Sequence, residues 1–298
     1  MKKACVIGGS GFLGSHVCDQ LTNIGYEVII YDCVLSPWKS DGQSMVVADI
    51  HNELALNESI AGCEVVYNFA AIADLDEAQN KPIETININI LGNAVALEAC
   101  RKHGVNRYMY ASTVYVYSRE GGFYRCSKLA AEQFVEEYQK QYGLDFTVLR
   151  YGSLYGPRSD QHNGLWRIVK RALEEQKVIY EGSREAIRQY IHVKDAAHAS
   201  VAALSADFRN KHVILTGQEK MHVVDLLKML AEILGLSQEI DFVDSSHAGH
   251  YIRTPYAYQT QLGLKYSPLL HIDLGQGLIE LINEIQKENL PKEDISCG

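Results

Sequence analysis

Gly8-Gly9-Ser10-Gly11-Phe12-Leu13-Gly14 follows the apolar run Ala4-Cys5-Val6-Ile7 and precedes His16, Val17 and Leu21. An apolar strand that breaks into glycines and resumes with helical spacing reads as strand, tight turn and helix. Each glycine has a mechanical reason. Gly8 permits the turn, Gly11 lets a ligand approach the backbone, and Gly14 lets the helix pack closely. The helix N-terminus then presents free N–H groups and the positive end of its dipole, a setting that suits a dinucleotide pyrophosphate. Phe12 and Leu13 fall in the same cradle.

On either side of this turn, β-branched runs alternate with helix-period segments. Lys3 to Gly8, Glu27 to Asp32, Val46 to Ala48, Glu64 to Phe69, Asn106 to Ser112 and Asp145 to Arg150 read as strands. The long helices run from Pro82 to His103, with proline at the first turn, and from Phe123 to Tyr142. Such alternation predicts an α/β fold with a doubly wound parallel sheet. Asp32 closes the second strand where an acid would accept the adenosine ribose hydroxyls, and its charge repels a 2′-phosphate, so NAD is favoured over NADP. Asp49-Ile50 follows the third strand and could hold the adenine; Asp49 could equally cap the helix beginning near Asn52.

The pattern loosens after Tyr151. Residues 1–152 are expected to form the NAD-binding domain, with 187–212 returning to it through a helix capped at Asp195; residues 153–186 and 213–298 would form a smaller α/β substrate-binding region. The seven cysteines are scattered and odd in number, as expected for reduced thiols and a cytoplasmic protein. A formal net charge of -9 argues against a nucleic-acid partner. No apolar run reaches the length of a membrane span. The eleven histidines include no helical His-x-x-x-His pair, and His247-x-x-His250 is a poor zinc motif, so no metal is predicted.

Tyr124-x-x-x-Lys128 places a phenol and an ammonium on one helix face, one turn apart. A free phenol ionises near pH 10, and a neighbouring cation, joined by a positive nicotinamide ring, is expected to lower that value and make Tyr124 a base for a sugar hydroxyl. Lys128 would also hold the nicotinamide ribose. The preceding strand ends in Ala111-Ser112-Thr113-Val114-Tyr115, which offers a hydroxyl partner.

The order Gly-x-x-Gly-x-x-Gly, Ser-Thr-x-x-Val-Tyr, Tyr-x-x-x-Lys resembles the extended short-chain dehydrogenase/reductases that act on nucleotide sugars. Asn68-Phe69-Ala70-Ala71, Asn89 to Asn93, Leu149 to Arg158 and Arg188 to Asp195 extend the resemblance over most of the chain. It implies a Rossmann sheet, NAD as cofactor and a nucleoside-diphosphate sugar as substrate. By position it implies Thr113 as the hydroxyl that binds the reacting group, with Ser112 as runner-up, Tyr124 as acid/base and Lys128 as its tuner. Ala70, Ala71, Asn89 and Tyr151 would line the cofactor channel. Ser153, Arg188 and Arg253 would meet the substrate, the arginines gripping its diphosphate. Arg158 is left open between a phosphate contact and a loop charge. The apolar stripes of Asn89 to Cys100 and Lys128 to Tyr138 resemble those of relatives that dimerise through a four-helix bundle, so a homodimer is expected.

Members that resemble this chain share oxidation at C4 of the sugar and differ in the step after it. Dehydratases carry an Asp-Glu pair after the threonine, decarboxylases often a glutamate, and 3,5-epimerase/reductases a Cys and His pair; this chain has Val114 and Tyr115. The resemblance therefore implies 4-epimerisation of a nucleoside-diphosphate hexose through a transient 4-keto sugar. The alternatives are a dehydrogenase or ketoreductase with net turnover of cofactor, and a non-catalytic NAD-binding regulator. Two departures stand out. The segment Ser118 to Phe123 is shorter than the loop that relatives carry, and Ser153 stands where many epimerases have asparagine. Both imply a pocket that is more open or differently specific.

Overall fold

The expected alternation of strand and helix closes into one parallel sheet in the computed structural model, which describes residues 2–243 apart from Glu219. Its first half runs β1 (Lys3–Ile7), α1 (Phe12–Asn23), β2 (Glu27–Asp32), β3 (Gln43–Val47), α2 (Glu53–Ile60) and β4 (Val65–Asn68). Then come α3 (Leu75–Asn80), α4 (Pro82–Ile86), α5 (Asn93–His103), β5 (Arg107–Thr113), α6 (Gly122–Tyr142) and β6 (Phe146–Tyr151). The remaining elements are shorter on average: β7 (Ser153–Tyr155), α7 (Gly164–Glu175), β8 (Val178–Glu181), β9 (Ile187–Arg188), β10 (Tyr190–His192) and α8 (Val193–Ala202). β11 (Lys211–Leu215), β12 (Met221–His222), α9 (Val223–Leu234) and β13 (Ile240–Val243) come last.

Seven strands pair in the order β11-β6-β5-β4-β1-β2-β3, and every pairing is parallel. Alternation along the strands builds two cores. Cys5 and Ile7 of β1 face one side, with Leu56, Leu97 and Val135 from α2, α5 and α6. Ala4 and Val6 face the other, with Val17 and Leu21 of α1 and Ala196 and Ala197 of α8. A period of two on a strand, covered on both faces by helices, is why these strands are almost wholly apolar. The strand order reverses between β1 and β4, and the crevice beyond the carboxyl ends at such a switch point is where ligands bind in open α/β sheets. A third, smaller core joins α7, β8 and α9 through Ala172, Val178 and Leu227.

Three local expectations need correction. The helix expected over Pro82 to His103 is not regular: Asn87–Gly92 forms a π-turn between α4 and α5. A Cβ on Gly92 would lie 2.7 Å from Ile50 Cγ2, so the widened turn brings the backbone against the loop after β3. The helix after β10 starts at Val193, and its cap is His192, whose ring accepts from Lys194 N; Asp195 sits in the first turn. β11 continues to Leu215, so the main sheet extends past residue 212.

Candidate active site

The glycine turn has the geometry its sequence requires. Gly8 has φ +77°, and a Cβ there would lie 2.6 Å from Ala70 N. One on Gly14 would lie 2.2 Å from the Gly8 carbonyl oxygen, while one on Gly11 would meet only that oxygen, at 3.3 Å. Gly11 is the N-cap of α1, and no side chain caps the first turn, where Phe12, Leu13 and Gly14 begin the helix. Those N–H groups remain available to an anion. Asp32 borders the cradle: its Oδ2 accepts from Ser10 N at 2.9 Å and its Oδ1 from Val34 N at 3.2 Å. A carboxylate with lone pairs to spare beside a glycine turn fits the ribose of a dinucleotide.

On the far side of β2, Asp49 does not cap α2. Asn52 does, accepting from Ala55 N. Asp49 Oδ1 instead accepts from His51 N at 2.8 Å and meets His51 Nδ1 at 2.6 Å, and these contacts hold its carboxyl below the usual range. His51 Nε2 reaches the Asn87 carbonyl at 3.0 Å, tying this turn to the π-turn. The Ile50 side chain is buried in the core that also holds Ile7 of β1 and Leu97 of α5.

Asn89, at the π-turn, is fully engaged by protein. Its Oδ1 accepts from Ile72 N at 2.8 Å, and its Nδ2 donates to the Ile72 carbonyl and to Ser127 Oγ. It therefore sets the path of the loop carrying Ala70 and Ala71 and pins that loop to α6. π-turns are often found at functional sites, and this one presents a buried amide to the Ile72 backbone and to Ser127.

The chemistry-bearing side chains meet at the end of β5. Thr113, the last residue of that strand, is hydrogen-bonded through its side chain to the Tyr124 phenol and accepts from Tyr115 N at 3.2 Å. Lys128 Nζ donates to the Ala111 carbonyl at 2.8 Å and lies 5.0 Å and 5.9 Å from the Tyr110 and Tyr124 ring centres. Burial pushes Lys128 down to about 7, with Glu132 pulling it back up. Burial likewise pushes Tyr124 up to about 12, with Thr113 drawing it down. The Lys128 ammonium donates to the Ala111 carbonyl, on the helix face it shares with Tyr124.

A cleft of about 690 Å³ opens over this group, lined by Thr113 and Tyr124 from β5 and α6 and by Ser153, Arg167, Arg171 and Arg188 from β7, α7 and β9. Tyr151 also lines it, but its hydroxyl turns away to Ser200 Oγ at 2.6 Å. Ser153 N donates to the Gln189 carbonyl, and Arg188 is buried on β9. Arg158 pairs with Asp19 at 2.7 Å and lies over the Trp38 ring, so it serves the loop. Arg253 and the His247–His250 pair lie outside the described residues. The sequence reading missed Arg167 and Arg171, and it missed Glu132, Ser112 and Arg150 as a group. An acid four residues after Lys128, on the same buried helix face, was the available signal.

The sequence profile of the NAD dependent epimerase/dehydratase family matches residues 4–217. The chain belongs to that family. NAD is this family's cofactor, and the glycine cradle and Asp32 fit it. A Methanocaldococcus jannaschii protein provisionally named a UDP-glucose 4-epimerase is 28% identical over 95% of this chain and 98% of its own. The dTDP-glucose 4,6-dehydratase of an Actinoplanes species is 26% identical over 94% and 96%. The Thermotoga maritima UDP-glucose 4-epimerase, solved with UDP-glucose, superposes with a TM-score of 0.78 at 28% identity, over 85% of this chain and 88% of its own. Among the described residues, no helix is long and apolar enough to cross a membrane.

Proposed function

We propose that this family member is a 4-epimerase of a nucleoside-diphosphate hexose, with Thr113, Tyr124 and Lys128 as its catalytic group. One observation carries the reading: Thr113 and Tyr124 are hydrogen-bonded on the cleft floor, while Val114 and Tyr115 occupy the positions where elimination would need an acid and a base. The relatives are named for UDP- and dTDP-glucose, which favours a hexose of this kind. Gly8, Gly11, Phe12, Leu13, Gly14 and Asp32 would hold NAD, with Asp49, Ile50, Ala70, Ala71, Asn89 and Tyr151 shaping the channel around it. Bound there, NAD would take a hydride from C4 and give it back.

Thr113 would bind the C4 hydroxyl, and Tyr124 would take its proton on oxidation and return it on reduction. Lys128 favours that transfer as a cation beside the phenol, a role it fills only while protonated. Arg188, with Ser153 nearby, would place the diphosphate so that the keto sugar can turn and present its other face. A homodimer belongs to the same proposal: Ile86, Leu91, Leu129 and Phe134 are large apolar side chains exposed on α4, the π-turn and α6.

The test is incubation of the purified protein with a panel of UDP- and dTDP-hexoses without added cofactor, with products read by chromatography and mass spectrometry. A new sugar peak of unchanged mass is the expected result. Stoichiometric NADH that stalls until NAD is supplied would replace the epimerase with a dehydrogenase, and loss of 18 mass units, one water, would replace it with a dehydratase.

A further inference from the structure

Behind the catalytic group lies a buried charged cluster that the proposed chemistry does not use. Glu132, one turn beyond Lys128 on α6, has almost no exposed surface. Its Oε1 accepts from Ser112 Oγ at 2.5 Å, and its two oxygens receive a forked pair from Arg150 Nε and Nη2 at 3.0 Å and 2.6 Å. Arg150 Nη1 in turn donates to the Tyr117 hydroxyl, and its guanidinium lies 4.7 Å from that ring centre.

These contacts reach the segments that carry the Thr113–Tyr124–Lys128 group. Ser112 immediately precedes Thr113 on β5, and Arg150 immediately precedes Tyr151 on β6. Tyr117 ends the 3₁₀ turn Val114–Tyr117, whose Tyr115 packs edge-on against the Tyr124 ring at 6.4 Å. One carboxylate thus fastens two strand ends and a turn to the helix bearing Tyr124 and Lys128. Removing it would leave a buried guanidinium without its partner, which is far costlier than never having built the pair.

We propose that Glu132 is a positioning residue for the Thr113–Tyr124–Lys128 group, fixing the strand end that carries Thr113 and standing as the buried counter-charge to Lys128. The groups facing these two residues are few. Lys128 faces the Tyr110 and Tyr124 rings and the Ala111 carbonyl, with Glu132 as the carboxylate acting on it. Glu132 faces Ser112, Arg150 and the buried Tyr110, and His212 Nε2 on β11 lies 3.8 Å from it and 3.1 Å from Glu136. Burial and Arg150 push His212 down, so it adds little positive charge at neutral pH. Arg150 is committed to the fork and to Tyr117, which leaves Glu132 to balance both Arg150 and Lys128. Desolvation disfavours the ammonium, and the adjacent carboxylate keeps part of it charged at the pH where Tyr124 must act.

This inference rests on the catalytic reading of Lys128, but its test does not depend on turnover. The full-length protein, labelled with ¹³C-lysine, would be titrated by NMR, with Lys128→Met identifying the Lys128 signal. In Glu132→Gln, which preserves shape and removes the charge, the Lys128 midpoint should fall by about one pH unit, a tenfold change in protonation. Glu132→Gln/Arg150→Met removes both charges and guards against loss of folding; measured against Arg150→Met, which lacks only the guanidinium, its midpoint should fall in the same direction. Ser112→Ala keeps the carboxylate and should leave the midpoint in place. An unmoved midpoint in folded Glu132→Gln, or no difference between the folded double variant and Arg150→Met, would overturn the proposal and leave Glu132 as a stabilising residue alone. Failure of the nucleotide-sugar assays would overturn the functional reading without touching this result.

Discussion

The two walls of the cleft are built differently. The wall bearing Thr113, Tyr124 and Lys128 stands on the ends of long central strands and one 21-residue helix, and its polar groups are buried: Lys128 is 3% exposed and Glu132 2%. The opposite wall hangs on the two-stranded pairs β7/β10, β8/β13 and β9/β12 and on α7. Its Arg167 and Arg171 side chains are 48% and 39% exposed, tied to Asp74 and to Glu175 and Glu181 by surface ion pairs. Such pairs are weak and exchange readily. The molecule separates a preorganised wall suited to proton transfer from an adjustable wall suited to gripping charge.

That contrast can be broken at several points. Tyr124→Phe should have the largest effect, lowering kcat by roughly 10²- to 10⁴-fold while NAD binding, measured by calorimetry, is retained; unchanged kcat would remove the phenol from the chemistry. Gly14→Ala should come next. Its Cβ has no room at 2.2 Å from the Gly8 carbonyl, so stability should fall by roughly 1–3 kcal/mol in urea unfolding and NAD affinity with it. Gly25→Ala offers a contrast without a steric clash: a Cβ there meets nothing within 4 Å, and only its φ of +89° opposes the change.

On the adjustable wall, Arg188→Lys keeps the charge and loses the fork. KM for the nucleotide sugar should rise about tenfold with kcat little changed, and a fall in kcat instead would move Arg188 to the chemical wall. The smallest effect is a slope. Lys128 sits at about 7 in the fold against an ordinary 10.5, so between those values the unfolded chain holds a proton that the folded chain has released. Stability contributed by this site should therefore rise with pH from about 7 to about 10.5, by at most about 1.4 kcal/mol per pH unit, and fall as pH drops back through 7. The difference in unfolding free energy between wild type and Lys128→Met, measured at pH 7 and 9, reads that slope directly.

Legibility in the sequence shows the same division. The parallel sheet was readable because each strand is a short apolar run closed by a turn, and the glycine spacing has few alternative explanations. Thr113, Tyr124 and Lys128 were readable because each is defined by its place at a strand end or on one helix face. The fork of Glu132 and Arg150 was not, since it joins residues 18 apart whose meeting depends on the packing of α6 on β6. The arginines of α7 were missed for a related reason: they look like ordinary solvated helix charges until the fold turns them over the cleft. Spacing also fixes which face Lys128 shares with Tyr124, but not which acceptor its ammonium selects, the Ala111 carbonyl of β5.

The π-turn at Asn87–Gly92 carries a consequence for how this chain tolerates change in length. A helix advances about 100° per residue, and a π-turn holds one residue more than the α-turn it replaces. The stretch from Pro82 to His103 is thus two helices with different phases, joined so that Thr85 and Leu97 both point inward. Deleting a single residue between Ile88 and Leu91 would close the π-turn to an α-turn and leave Thr85 and Leu97 on the same inward face, at the cost of the contacts that Asn89 makes there. The same deletion within Asn93–His103, where the helix has no residue to spare, would instead turn the register of all that follows it.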